Sequence, residues 1–309
     1  MNIHEIKTKN LRWINVVNPA QEEIDYLRDQ FGFHPLALED CITPTHRSKI
    51  DDYEKYYFMV LLFPLYDKKT RQITPAEVHF FISNDYIVTI HNNELPPLVE
   101  SFRVCQTNQE TRKKHFDQSV EMLLYYILEK LLLSIHPMLD HISLDIDNSE
   151  KEIFSGNEKK MVEEILIIRR SITDFRKIMQ VHKNTLQKLT TWLQVNDSYA
   201  ITKNDDMHYS NLIDHTKEFW DALGGYKEAV ETLQDTNESL ISHRINDIMK
   251  TLTIISLTIF PVGIIAGFFG MNMKNIPFDH NPYGFWIMVA ISIGVMASVA
   301  LYVKKKKWL

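Results

Sequence analysis

Cysteine is nearly absent from this chain of 309 residues: there are two, Cys41 and Cys105. Placed so far apart, they exclude a disulfide framework and fit no zinc-ligand spacing, and they read as inert packing residues of a reducing compartment. Excess positive charge is missing as well. The net charge is −6, and no basic stripe with interleaved aromatics occurs, so no nucleic-acid partner is expected. The first residues, "MNIHEIKTKNLRW", contain neither an apolar run nor an Arg/Ser-rich stretch, and no cleaved targeting signal is expected. The most informative absence is local. Asp, Glu, Lys, Arg and His are missing from the 23 residues between Lys250 and Lys274, and from the 21 residues Tyr283 to Val303.

A helix needs about 20 apolar residues to cross roughly 30 Å of hydrocarbon, so these two runs read as membrane spans rather than buried core helices. Tyr283 and Trp286 mark one interface, and Tyr302 and Trp308 the other. Lys304 to Lys307 follow the second run directly, and Arg244 and Lys250 precede the first. Positive residues collect on the cytoplasmic side. Both termini are therefore expected in the cytoplasm of a multi-pass cell (inner) membrane protein, with the loop 274–282 outside. The expected organisation is a cytosolic α/β domain over 1–116, paired outer helices over 117–205 and a stalk helix over 206–250. A first transmembrane helix over 251–273, the outer loop, a second over 283–303 and a basic tail over 304–309 complete it.

Within the first region, "LRWINVV", "YYFMVLLFPLY", "EVHFFIS" and "YIVTIHN" are short runs rich in aromatic and β-branched residues, expected as strands. Asn18-Pro19 is expected to open a helix that closes near Gly32. From about residue 117 the pattern turns helical. One long helix is expected up to a break at Ser155-Gly156-Asn157, a second from 158 to 194, and a third from near 206 with no stop before the membrane. In the third, Leu212, Phe219, Tyr226, Leu233 and Leu240 recur every seven residues, with Thr216, Leu223 and Val230 four positions after the first three. This is a coiled-coil-like seam, favouring oligomerisation, and it turns polar at Asn237 and Arg244. Gly224-Gly225 is expected as a bend or a close approach. Continued into the first span, this helix is a rod of about 96 Å.

Asn246, Met249, Leu252, Ser256, Phe260, Gly263 and Gly267 stand three or four positions apart on one stripe of that helix. Its small and polar members point to a helix interface or an axial lumen rather than to lipid. The span ends at Gly270-Met271-Asn272. His141 and Asp145 have the i,i+4 spacing of ligands, but with Asp140, Asp147, Glu150 and Glu152 they read as a solvated acidic face, with a cation-concentrating surface as the functional alternative.

A Gly-Met-Asn tripeptide after a first span, a short loop, a second span and a terminal "KKKKWL" resemble the CorA family of divalent-cation channels, the two-span GxN metal-ion transporters. "FGFHPLALEDCITPTHRSKI" (31–50) and "NDIMKTLTIISLTIFPVGIIAGFFGMN" (246–272) extend the likeness. The resemblance implies a funnel-shaped homopentamer in a lipid bilayer, a pore lined by the first span, and passive influx of Mg²⁺, with Co²⁺ and Ni²⁺ as further cargo. It implies no enzyme activity and no organic cofactor. Mg²⁺ gives up its water reluctantly, so five copies of Asn272 would read the hydrated ion, while Gly270 lets the backbone turn and Met271 packs the turn. It also implies that cytosolic Mg²⁺ bridges subunits and holds the pore closed. The acids for this match Asp40 in "LED" and Asp235 in "LQDTNE". The acid opposite the first aligns with Asn211, where Asp206 or Asp214 is near enough to substitute. Three positions depart from the pattern. Lys274 stands where the loop usually has an acid, the nearest being Asp279; Gly263 replaces a threonine, and Phe260 a methionine that lines the pore. Two other readings stay open: a proton-coupled Zn²⁺ transporter of the same family, and a membrane-anchored oligomeric scaffold.

Overall fold

The computed structural model describes residues 1–8, 11–43, 47–116, 119–195, 203–271 and 282–306. It divides into two compact units, Met1–Gln234 and Asp235–Leu309.

The first unit is α/β. Six strands, β1 (Ile3–Lys7), β2 (Arg12–Val17), β3 (Lys49–Asp52), β4 (Tyr57–Asp67), β5 (Gln72–Ile82) and β6 (Tyr86–His91), form one sheet in the order β1-β2-β6-β5-β4-β3. Only β2 and β6 run parallel among neighbouring strands in this sheet. The four apolar runs become the long or central strands. The outer strands β1 ("IHEIK") and β3 ("KIDD") were not foreseen, because half-exposed edge strands need few apolar residues.

One sheet face packs under α1 (Gln21–Phe31) and α2 (Pro35–Asp40), with Val16, Ile24, Leu27, Phe33, Leu38 and Phe81 in the shared core. Helix α1 does not start at the expected cap. Asn18 takes φ 49°, and the helix begins at Gln21 because the Glu23 carboxylate accepts from the N–H groups of Ala20 (3.0 Å) and Asn2 (2.8 Å). Those two donors hold the Glu23 carboxyl below its ordinary pKa, Asn2 foremost. Gly32 closes α1 at φ 66°, a left-handed position that favours glycine, and so turns Phe33 to stack on Phe81 at 4.0 Å.

Then come α3 (Pro96–Thr107), α4 (Gln109–Phe116), α5 (Val120–Leu133), α6 (His136–Phe154), α7 (Glu158–Met179) and α8 (His182–Val195). The single helix expected up to 154 is two, α5 and α6. Pro137 has no N–H to give the Leu133 carbonyl, and the turn tightens instead through Ile135 N–H to Leu132 O at 3.0 Å. The helix expected over 158–194 also divides. The His182 ring donates from Nδ1 to Ile178 O at 3.1 Å, competing for a carbonyl that a continuous helix would use. The α6–α7 turn lies where expected, with Gly156 at φ 95°.

Helix α9 runs from Lys203 to Gly270 without interruption, through Gly224-Gly225 and past Pro261. The helix is continuous through both glycines. Gly224 is a close approach, since a Cβ there would lie 3.3 Å from the Arg176 guanidinium, which stacks over Trp220. In the heptad seam, Leu212, Thr216, Phe219, Leu223, Val230 and Leu233 are buried inside the single chain, while Tyr226 and Leu240 are half-buried, so much of this stretch packs against the chain's own helices. Helix α10 spans Gly284–Lys305.

Three buried histidines make the first unit acid-sensitive. His91 donates to Asn15 Oδ1 (3.1 Å) and accepts from the Asn93 N–H (3.0 Å), a fully used neutral ring. Burial pulls the pKa of His91 and of His182 down to about 4, and lowers that of His79. The unfolded chain binds protons on these rings from pH 6.5 downward and the folded chain does not. Stability is therefore full above pH 6.5 and falls as pH drops toward 4. For His182 alone the loss is roughly 3 kcal/mol at about 1.4 kcal/mol per unit. Thermal melts between pH 7.5 and 4.5 are expected to show a steep fall in Tm, flattened in His182→Phe; a flat wild-type profile would remove this account.

Candidate functional site

Among the described residues, three helical stretches are apolar and long enough to cross a membrane: Val120–Phe154, Met207–Gly270 and Gly284–Lys305. Burial separates them. The most apolar window of the first is 56% buried within the chain, against 0% and 6% for the other two. The first already has its cover in the fold, and the other two do not.

Within α9 the uncovered surface is ordered. Ile254, Thr258, Pro261, Ile265 and Phe269 form one half-buried stripe. Ser256, Phe260, Gly263 and Gly267 lie two positions after four of these residues, hence about 200° around the helix, and are open, as are Asn246, Met249 and Leu252. A Cβ at Gly263 or Gly267 would touch nothing within 4 Å. The residues of the expected lumen stripe are thus all open in the single chain, as are most of their neighbours on α9. Gly270 is the last residue of α9 and is not in a left-handed conformation. Met271 is half exposed, its N–H 3.4 Å from Phe268 O. Asn272, Lys274 and Asp279 lie outside the described residues.

The expected regulatory residues are spread over two elements. Asp40 ends α2, its side chain 23% exposed and paired to the Lys49 ammonium. Lys49 also reaches Asp51 at 3.1 Å and lies over the Phe58 ring. Burial works against the Lys49 charge, but the Asp40 and Asp51 bonds outweigh it and raise its pKa. Asn211, Asp214 and Asp235 are exposed on α9, and the Asn211 amide lies 3.4 Å from His215 Nε2. The side chain of Asp206 lies outside the described residues. Among the described residues no three His, Cys, Asp or Glu side chains are grouped so as to hold a metal. One chain therefore does not assemble these acids into a site. Lys49 was not foreseen: nothing in the sequence pairs residue 49 with residue 40 before β3 and α2 are placed.

On the acidic flank, His141 and Asp145 stand 3.8 Å apart and the His141 ring meets Tyr66 edge-on. Asp140, Asp147, Glu150 and Glu152 are exposed, the solvated face expected. Both cysteines are buried; burial raises the Cys41 pKa well above its ordinary value and pushes Cys105 to about 11.

A family model, CorA-like Mg²⁺ transporter protein, matches residues 8–305. The chain belongs to the CorA-like Mg²⁺ transporter family. The cobalt/magnesium transport protein CorA of Thermotoga maritima is 28% identical over 302 residues, covering 96% of this chain and 83% of that protein. The cobalt/magnesium transport protein CorA of Methanocaldococcus jannaschii is 24% identical, covering 99% and 95%. The complete structure of the CorA magnesium transporter from the same archaeon superposes with a TM-score of 0.82 over 99% of this chain and 94% of that one, at 23% identity. The fold of this chain is therefore the CorA fold, a sheet-containing domain with long helices and C-terminal apolar helices, and its relatives are transporters of divalent cations.

Proposed function

We propose that this chain is one subunit of a channel through which hydrated Mg²⁺ enters the cell passively, with Co²⁺ and Ni²⁺ as further cargo. The observation that carries this reading is the open stripe of α9, with Ser256, Gly263 and Gly267 among its members. A helix that met only lipid there would have no use for a hydroxyl and two glycines, whereas an axial lumen or a close helix neighbour does. The end of α9 and α10 are the two spans, with the loop 274–282 outside and the chain before the first span and after the second cytosolic. Five copies around one axis place the stripe on the pore and Asn272 at its outer mouth. A ring of neutral amide oxygens holds the waters of Mg²⁺ without binding the ion as tightly as carboxylates would. Five Phe260 rings form the narrowest apolar point, a place to gate by dewetting.

Regulation is by cytosolic Mg²⁺, held between subunits by Asp40, Asp235 and the neighbourhood of Asn211 and Asp214. Facing carboxylates repel until a dication sits between them. Lys49 changes the terms at Asp40: its ammonium already neutralises that carboxylate, so an arriving Mg²⁺ must share or displace it.

Purified protein in liposomes is expected to pass Mg²⁺ down its gradient equally with and without a pH difference. Flux of Zn²⁺ that requires the pH difference would favour the proton-coupled transporter, and no ion flux at all would favour the scaffold.

A further inference from the structure

Strand β5 carries an unusual pair on the sheet face that packs under α1 and α2. Residues two apart share a face, so Glu77 and His79 follow the same side as Phe81, which belongs to the apolar core there. His79 is 5% exposed, and its Nε2 has no hydrogen-bond partner. That nitrogen lies 3.6 Å from Glu77 Oε2. The separation is too long for a hydrogen bond. It is close to the spacing of two donors on one metal, which for bonds of about 2.0–2.2 Å at tetrahedral angles is roughly 3.4 Å. Beside the pair opens a cavity of about 170 Å³, also lined by Asp40, Cys41 and Glu94. At about 30 Å³ each, several waters fit in it.

We propose that His79 and Glu77 bind a borderline divalent cation of the Zn²⁺, Co²⁺ or Ni²⁺ class, with water from the cavity completing its shell. The pair has one nitrogen and one carboxylate donor, a set that suits these metals and not Mg²⁺, which takes oxygen. Burial disfavours the charged form of the imidazole. Cys41 stays out of the shell because its thiol is buried and donates to Ala37 O at 3.2 Å. Since no third His, Cys, Asp or Glu among the described residues joins a metal-holding group, the site has two protein donors and exchanges its ion readily. Glu94 acts through water, adding negative charge to the cavity, while Asp40, which also lines it, is paired to Lys49. This site lies apart from α9 and goes beyond the transport reading: it binds a transition metal whether or not the pore conducts.

The test uses the full chain purified in detergent and stripped with a chelator. Zn²⁺ binding is titrated in a large excess of Mg²⁺, which fills oxygen-only sites. Wild type is expected to bind one Zn²⁺ per chain in a saturable step. His79→Gln and Glu77→Gln are each expected to weaken that step at least about tenfold, while Glu22→Gln, at an exposed acid of α1, leaves it unchanged. Wild-type affinity in both the His79 and Glu77 variants, or no Zn²⁺ step in the wild type, overturns the proposal. Should His79→Gln not fold, Co²⁺ bound to the wild type decides. Strong visible bands of low-coordinate, nitrogen-bound Co²⁺, weakened in Glu77→Gln, support the site, and the faint spectrum of hydrated Co²⁺ contradicts it.

Discussion

Asn272→Ala is expected to reduce Mg²⁺ flux to that of protein-free liposomes while leaving the oligomer intact. The side chain follows directly on the end of α9 at Gly270 and the exposed Met271. Its role in the proposed channel is to accept hydrogen bonds from the waters around the ion. Hydrogen bonds involving a charged group contribute about 1.5–3 kcal/mol each. Loss of five at once removes several kcal/mol of ion stabilisation at the mouth, and about 1.4 kcal/mol already changes occupancy tenfold. A methyl group supplies no acceptor, so the ion meets an apolar ring with its water shell unsupported. Asn272→Asp separates selectivity from mere chain termination. A ring of carboxylates should hold Mg²⁺ longer and slow its release, giving tighter binding with lower flux. Flux is measured with a Mg²⁺-sensitive dye in liposomes, and the oligomer by native mass spectrometry. Normal flux in Asn272→Ala would mean that the asparagine only caps the span.

The second large effect is expected from Asn211→Asp, in the opposite direction. Asn211 is exposed on α9 and Asp40 sits in α2 with its charge already answered by Lys49. The proposed inter-subunit site is therefore short of negative charge twice over, once by the asparagine and once by the lysine. Restoring a carboxylate should lower the Mg²⁺ concentration that protects α9 from proteolysis by roughly tenfold, the equivalent of one charge-assisted bond of about 1.4 kcal/mol. Asp40→Ala should raise it, and Lys49→Met should lower it with Asp40 intact. An unchanged or higher midpoint in Asn211→Asp would place the regulatory cation elsewhere.

The sequence shows those parts of the fold whose signal is local. Long uncharged runs, the αL glycine at 32 and the aromatic β-branched strands all mark themselves within a few residues. Edge strands do not, because "IHEIK" and "KIDD" have too few buried positions to differ from a loop. Heptad spacing in α9 was legible, but what covers a seam is decided by other helices, and here the chain's own fold covers much of it. The stripe from Asn246 to Gly267 was legible for the opposite reason. Its pattern is one helix long, and its residues are exposed in the single chain among the described residues. Lys49 beside Asp40, and His79 beside Glu77 at the cavity edge, come from register and packing. A reading of the sequence alone cannot supply them.

The central claim is that this open stripe lines the path of the ion, and substituted-cysteine accessibility tests it most directly. The background is favourable, because Cys41 and Cys105 are buried and burial raises both thiols far above neutral pH, which leaves them unreactive. Single cysteines at Ser256, Phe260, Gly263 and Gly267, and at Ile254, Thr258, Ile265 and Phe269, would be treated with a small charged thiol reagent in liposomes while Mg²⁺ flux is recorded. The account predicts modification and block at 256, 260, 263 and 267, with little effect at 254, 258, 265 and 269. Block confined to the second set, or spread evenly over both, would contradict it.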